Sequence, residues 1–265
     1  MSDTPVPAGH LRVDAQDGVI TIRVCNPARF NAMSLPMWEH IAEVVAEAED
    51  DEHARAIVLT GEGDRAFVSG SDISQFGALR NDPEQVARYD RAVAAAQHAL
   101  SASRHPVIAV IRGICMGGGM GLALACDLRY CAEDARFRMP AARLGLGYGH
   151  EGMRRMREVL GSARVSDLFL TARTFDGREA GRIGLVHEVF APEMFEQAVA
   201  ERIAAVAGNA PLTVRAAKLA LRHLAGDAPA AEEVDAAVQA CFNSEDYQEG
   251  QRAFREKRPP VFRGQ

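Results

Sequence analysis

The sequence is poor in several features that mark other classes of protein. No apolar run in its 265 residues reaches the ~20 residues that a membrane-spanning helix requires. The first residues, MSDTPVP, lack the basic and apolar pattern of a signal peptide, and the five cysteines show no disulfide-like or metal-ligand spacing. A net charge of −6 disfavours nucleic-acid binding. We therefore predict a cytoplasmic protein in a reducing compartment, with no membrane, nucleic-acid or metal partner.

Strand and helix patterns alternate along the first two thirds of the chain, and a hydrophobic content of 48% is enough for a large core. Asp17-Gly18 is a hairpin signal between two apolar runs. The alternation predicts an α/β fold with largely parallel strand pairing. The predicted strands are 11–14, 19–24, 56–60 and 107–111. The predicted helices are 35–50, 83–100 and one that starts at Gly118.

The last third of the chain has helical periodicity throughout. No linker rich in proline, glycine and serine precedes it, so we expect it to pack on the core or on neighbouring subunits. We predict two regions, a core of residues 1–191 and a C-terminal helical region of residues 192–265. The predicted C-terminal helices are 196–206, 212–224, 231–241 and 244–254.

Two glycine-bearing segments, 66–73 and 113–121, each follow a predicted strand. Glycine permits close approach of the backbone, and the second segment leads into a helix whose first N–H groups have no partner within the helix. Two such N–H donors aimed at a carbonyl oxygen stabilise an enolate or a tetrahedral anion. The pair of segments therefore predicts an oxyanion hole.

The resemblance to a known family rests on five segments, at residues 26–33, 66–73, 105–119, 137–145 and 175–186. Their order is typical of the enoyl-CoA hydratase/isomerase (crotonase) superfamily, and the sequence resembles that family over nearly its whole length. The resemblance implies a spiral of ββα units with a C-terminal helical region. It also implies an acyl-CoA substrate, coenzyme A only as part of that thioester, and a homotrimer or dimer of trimers.

By the same resemblance, the oxyanion donors are the backbone N–H groups of Ser71 and Gly118. The sequence departs from the family at two positions where hydratases carry glutamate, which are occupied here by Gly121 and Ala141. Neither residue can transfer a proton, and acid and base each contribute about 10²–10⁴-fold to such reactions. Standard hydration is therefore not expected. The contacts to coenzyme A that the resemblance implies are Ala28, Arg29, Ser69, Ser71, Ile73 and Lys257.

The glycine-rich loop 145–152 supplies the candidate acid and base residues Tyr148, His150 and Glu151. Tyr148 matches in position a tyrosine of family decarboxylases that act on methylmalonyl-CoA, and His150 has an unperturbed pKa close to neutrality. Each has an alternative interpretation. In the alternative interpretation, Tyr148 forms a wall of the pocket and His150 is a solvated loop residue. Glu151 then caps a helix that begins near Met153.

These observations predict an enzyme that forms or stabilises a thioester enolate, with decarboxylation, isomerisation or hydrolysis as the reaction. Decarboxylation requires the fewest side chains, because the leaving carboxylate itself generates the carbanion. Two alternatives stay open at this point. One is a hydratase with substitute acid and base residues, and the other is an acyl-CoA-binding protein that has lost catalysis.

Overall fold

Two β-sheets organise the chain in the computed structural model, which describes residues 9–72, 82–227 and 229–265. The strands are β1 (His10–Gln16), β2 (Val19–Cys25), β3 (Ala56–Gly61), β4 (Ala66–Val68), β5 (Val107–Ile111), β6 (Ile114–Met116), β7 (Leu128–Ala132), β8 (Arg136–Arg138), β9 (Thr174–Asp176) and β10 (Glu188–Phe190). The larger sheet has six strands in the order β1-β2-β3-β5-β7-β10, and the smaller has four in the order β4-β6-β8-β9.

The larger sheet begins with the predicted hairpin. Gln16 pairs with Val19, and both turn residues have a positive φ, 51° at Asp17 and 76° at Gly18. Positive φ at both positions is the requirement of the tight turn that suits twisted strands. From β2 onward, every neighbouring pair in this sheet is parallel. The predictions of a hairpin and of parallel pairing are confirmed.

The smaller sheet consists of three-residue strands, which are too short to produce a periodic pattern in the sequence. β4 and β8 both pair with β6 in parallel, and β9 pairs with β8 in the antiparallel sense. Sequence reasoning did not separate these strands from the loops around them. They matter because β4 and β6 each lie in the first part of one of the two glycine-bearing segments.

The predicted helices agree with the structure to within two residues at each end, except for one. The exception is helix α5 (His150–Thr171), whose start was predicted near Met153. The extended backbone before it ends at Gly149, so the helix begins three residues earlier than predicted. No helix among the described residues is both long and apolar enough to cross a membrane. The helices are α1 (Leu35–Asp50), α2 (Pro83–Ala102), α3 (Gly118–Ala125), α4 (Ala141–Leu144), α5 (His150–Thr171), α6 (Gly177–Arg182), α7 (Phe195–Ala207), α8 (Pro211–Leu224), α9 (Ala231–Phe242) and α10 (Glu245–Glu256).

Helices cover both faces of the larger sheet. Alternate residues of a strand point to opposite faces, so Ile57 and Leu59 of β3 join the main core with Trp38 of α1. Val58, between them, joins a second cluster with Phe195 of α7. Burial on both faces explains why β3 and β5 read as continuous apolar runs.

Helix α8 is attached to the core by a buried ion pair. The Lys218 ammonium donates to Asp127 Oδ2 and to the His105 carbonyl oxygen, each at 2.6 Å. The same carboxylate oxygen accepts the Val107 N–H at 2.7 Å. The pair therefore joins the C-terminal helices to the start of β5.

Replacing Lys218 by methionine should lower the free energy of unfolding, because the Asp127 carboxylate then loses its counter-ion. We expect about 3 kcal/mol, the lower end for a broken buried pair, since the Asp127 side chain keeps 31% exposure. Urea denaturation followed by circular dichroism at fixed protein concentration measures the change. Lys218→Met/Asp127→Asn should recover part of the loss, and a wild-type midpoint for Lys218→Met alone would contradict the prediction.

Candidate active site

The two glycine-bearing segments lie side by side at one edge of the smaller sheet. Because β4 and β6 are parallel neighbours, their carboxyl ends meet at the same edge. A Cβ built on Gly118 would lie 3.6 Å from the Ser71 nitrogen, and one built on Gly70 would lie 3.6 Å from the Gly118 nitrogen. The structure therefore brings together the two backbone positions that the sequence singled out.

The backbone at Ser71 is oriented by its neighbours. Met33 N–H donates to the Gly70 oxygen, and Asp72 N–H donates to the Met33 oxygen, both at 2.8 Å. In such a parallel bridge, the residue between the two bonds directs its own N–H away from the bridging strand. Within the described chain, the Ser71 N–H has no hydrogen-bond acceptor.

Gly118 is the first residue of α3, so its N–H has no acceptor within the helix. The preceding residue, Gly117, donates to the Arg138 oxygen at 3.0 Å. The ring of the fully buried Trp38 forms the wall beside this turn, 3.1 Å from where a Cβ of Gly118 would lie. The positive end of the α3 dipole is therefore next to the Ser71 backbone.

Gly121 and Ala141, which the family resemblance places at the two glutamate positions of hydratases, both adjoin this helix start. Gly121 is buried in α3, one turn after Gly118, and Ala141 is buried at the start of α4. The ring of Pro140, which precedes Ala141, would lie 3.7 Å from a Cβ on Gly117.

The space next to Gly121 is occupied by two polar side chains. A Cβ on Gly121 would lie 2.6 Å from Gln97 Nε2 and 3.5 Å from the Tyr148 hydroxyl. Gln97 is held by Arg155, whose guanidinium donates to its Oε1 at 3.2 Å. Polar groups from α2, α5 and the loop before α5 therefore converge on α3.

Tyr148 lies at the site, with its ring packed between two residues of α5. The ring is edge-on to Phe169, with centroids 5.4 Å apart, and its Cε1 would lie 2.5 Å from a Cβ on Gly152. Burial raises the pKa of the Tyr148 phenol, and the charge of Arg155 opposes that rise only in part. The hydroxyl therefore stays protonated, as a hydrogen-bond donor, at neutral pH.

His150 and Glu151 lie on the first turn of α5, with side chains that are 89% and 69% exposed. The His150 ring is 3.5 Å from the Glu151 carboxylate. Arg154 donates to that carboxylate at 3.0 Å and lowers its pKa. The structure thus separates the three candidates of this loop, with Tyr148 inside and the other two facing solvent.

The residues expected to contact coenzyme A have different surroundings. Ala28 and Arg29 form an exposed turn, where Arg29 contacts the Asp72 carboxylate at 2.9 and 3.0 Å. Ser69 Oγ donates to the Arg29 oxygen at 3.2 Å. Lys257 is exposed at the end of α10, in a left-handed conformation with φ of 55°. Ile73 lies outside the described residues.

The sequence analysis did not assign Gln97, Trp38 or Arg155 to the site. The only signal for Gln97 is that an amide follows three alanines in α2. Trp38 is a buried residue of α1, and its contact with Gly118 joins positions that are far apart in sequence.

Comparisons with known proteins agree over the length of the chain. A family model described as enoyl-CoA hydratase/isomerase matches residues 14–265. The chain is 32% identical over 261 residues to the short-chain-enoyl-CoA hydratase of Clostridium acetobutylicum, covering 94% of each protein. It is also 32% identical over 222 residues to the peroxisomal Delta(3,5)-Delta(2,4)-dienoyl-CoA isomerase of Arabidopsis thaliana, covering 80% of each.

A crystal structure of an enoyl-CoA hydratase/carnithine racemase from Magnetospirillum magneticum superposes with a TM-score of 0.91 at 32% identity, covering 96% of both chains. The fold is therefore the expected crotonase-like α/β fold, and this chain belongs to the enoyl-CoA hydratase/isomerase family.

Proposed function

We propose that this protein stabilises the enolate of an acyl-CoA thioester between the N–H groups of Ser71 and Gly118, and that its reaction is a decarboxylation. Membership of the family supports the acyl-CoA substrate. The adjacency of the two nitrogens supports the oxyanion hole, because each lies 3.6 Å from the position of a Cβ on the opposite loop. Preorganised N–H donors at a developing negative charge are a large source of catalysis.

The surroundings of Gly121 are the observation that favours decarboxylation over hydration. In place of a glutamate, this position faces the Gln97 amide and the Tyr148 hydroxyl, which are both donors. Addition of water requires a base that activates it. Decarboxylation requires no base, because the electrons come from the bond that breaks.

In the proposed reaction, the bond between the α-carbon and the carboxylate carbon breaks and carbon dioxide leaves. The bonding electron pair forms the enolate, whose oxygen accepts the two N–H groups. The α-carbon then takes a proton from the Tyr148 hydroxyl, which water restores. Burial, which raises the pKa of Tyr148, keeps this group protonated until the enolate forms. Release of carbon dioxide from methylmalonyl-CoA tests the reaction, and its absence would exclude this assignment.

Hydration of crotonyl-CoA should be slow, because Gly121 and Ala141 carry neither an acid nor a base. Relative to the upper range of ordinary enzymes, ~10³ s⁻¹, we expect a reduction on the order of 10⁴. Loss of the crotonyl-CoA absorbance measures the rate. Turnover near the upper range would show that other groups replace the two carboxylates.

Replacing Gln97 allows a second test of this prediction. A Cβ at position 121 would lie 2.6 Å from the Gln97 Nε2, so in Gly121→Glu/Ala141→Glu the end of the Gln97 side chain must shift. Its amide can then donate to the new carboxylate and compete with water, so this double variant should gain less than one that also lacks the amide. Adding Gln97→Ala removes the obstructing amide. Hydration should therefore rise in the triple variant relative to the double variant.

Gly118→Pro removes one proposed oxyanion donor, and the proline that it introduces is a residue that helices accept at their first position. Decarboxylation should fall by about 10²–10³ in kcat. Gly118→Ala is the matched control, because its Cβ meets Trp38 at the same 3.1 Å but its N–H remains. Equal losses in both variants, measured as carbon dioxide release, would contradict the proposed role of the N–H.

We also propose the homotrimer or dimer of trimers that the family resemblance implies. Leu224 of α8 is 80% exposed and Phe254 of α10 is 86% exposed. A largely apolar cavity of about 690 Å³ lies among α8, α9 and α10. Light scattering at micromolar concentration should give a trimer or hexamer mass, and a monomer would contradict this prediction.

A further inference from the structure

Arg155 is a half-buried cation whose contacts in the described residues are to neutral groups. Its guanidinium donates to Gln97 Oε1 at 3.2 Å and to Ser101 Oγ at 3.3 Å. No carboxylate in the described parts of the chain lies within 4.0 Å of it. The next residue along α5 is different, since Arg154 contacts three carboxylates at 2.6 to 3.1 Å.

Gln97 directs donors from this cation toward the candidate site. Because Oε1 accepts from Arg155, the Nε2 group points to the opposite side, where it faces Gly121. The Tyr148 hydroxyl faces the same point. The polar atoms around this point are therefore an amide N–H₂ and a phenol O–H, backed by a positive charge.

A cluster of donors backed by a cation is complementary to an anionic acceptor, and a carboxylate is the acceptor that fits it. A neutral hydroxyl or ketone would leave Arg155 with only the longer-range attraction of the Asp227 and Glu151 carboxylates. Burial disfavours a charge that has no close counter-ion. Gly121 follows Gly118 by three residues, a rise of about 4.5 Å along a helix. The acceptor therefore lies one or two carbons beyond the thioester carbonyl.

We propose that this protein selects acyl-CoA thioesters whose acyl group carries a carboxylate on its α- or β-carbon, which Gln97 and Tyr148 bind with Arg155 behind them. This assignment rests on the proposed acyl-CoA site and adds its substrate class. Arg155 contributes to the binding of the substrate and not to the chemical step. A carboxylate that departs as carbon dioxide loses this interaction, so the contact lowers KM without raising kcat.

Two matched pairs of ligands test the proposal. Succinyl-CoA and butyryl-CoA differ by a carboxylate in place of a methyl group on the β-carbon. Methylmalonyl-CoA and isobutyryl-CoA differ in the same way on the α-carbon. Succinyl-CoA has no carboxylate on its α-carbon and is not decarboxylated, so calorimetry gives its Kd. We expect the wild type to bind succinyl-CoA about 10-fold more tightly than butyryl-CoA, as for a hydrogen bond to a charged group.

Arg155→Met should abolish this preference and leave the Kd of butyryl-CoA within about threefold, whereas Arg155→Lys should retain part of it. With methylmalonyl-CoA, Arg155→Met should raise KM without lowering kcat, because the contact is lost as carbon dioxide leaves. Arg154→Met is the control on the same helix and should keep the wild-type preference, because that cation already has carboxylate partners. Circular dichroism and the melting temperature confirm that each variant is folded.

The outcomes distinguish this proposal from the proposed function. If the wild type binds none of the four thioesters, the acyl-CoA site itself is wrong. If it binds each pair with equal affinity, the carboxylate subsite is overturned and the acyl-CoA site stands. A loss of preference in Arg154→Met equal to that in Arg155→Met would also overturn the assignment to Arg155.

Discussion

The close approach of β4 to two glycines is the constraint on which the rest of the site depends. A Cβ on Gly119 would lie 2.1 Å from the Val68 oxygen, and one on Gly113 would lie 2.1 Å from the Arg65 oxygen. Both contacts are to backbone atoms, which cannot rotate away as a side chain can. Any other residue at either position would push β4 away from β6. Ser71 follows β4 and Gly118 follows β6. The separation of their N–H groups therefore depends on the absence of side chains at Gly113 and Gly119.

A buried hydrogen-bond chain holds the same backbone from the other side. Trp38 Nε1 donates to the Tyr89 hydroxyl at 3.0 Å, and that hydroxyl donates to the Met33 oxygen at 3.3 Å. Met33 in turn bridges the backbone on both sides of Ser71. Helices α1 and α2 are thereby joined to the loop after β4 through side chains that are fully buried. A backbone held in this way requires no reorganisation when charge develops on a bound oxygen, which is the physical basis of preorganised stabilisation.

The separation along the chain between interacting residues explains which features the sequence predicted and which it missed. The hairpin at Asp17-Gly18, the buried strands and the amphipathic helices depend on local patterns, and the structure has them where they were predicted. The three-residue strands of the smaller sheet have no local pattern, because their pairing is decided by contacts between distant segments. The same holds for the bond from Arg155 to Gln97, which joins residues 58 apart in sequence. Burial changes the chemistry of such groups, and no sequence motif indicates which of them are buried.

The site therefore has two layers that differ in how strongly sequence constrains them. The proposed oxyanion donors belong to the backbone, so substitutions that preserve the strand pairing leave them unchanged. The positions proposed to determine proton transfer and recognition of the acyl chain are 97, 121, 141, 148 and 155, which all lie outside the paired strands β4 and β6. Relatives of this chain accordingly include proteins named as hydratases and as isomerases, at similar identity to it. Family membership therefore does not by itself determine the reaction, which has to be inferred from the side chains that face Gly121.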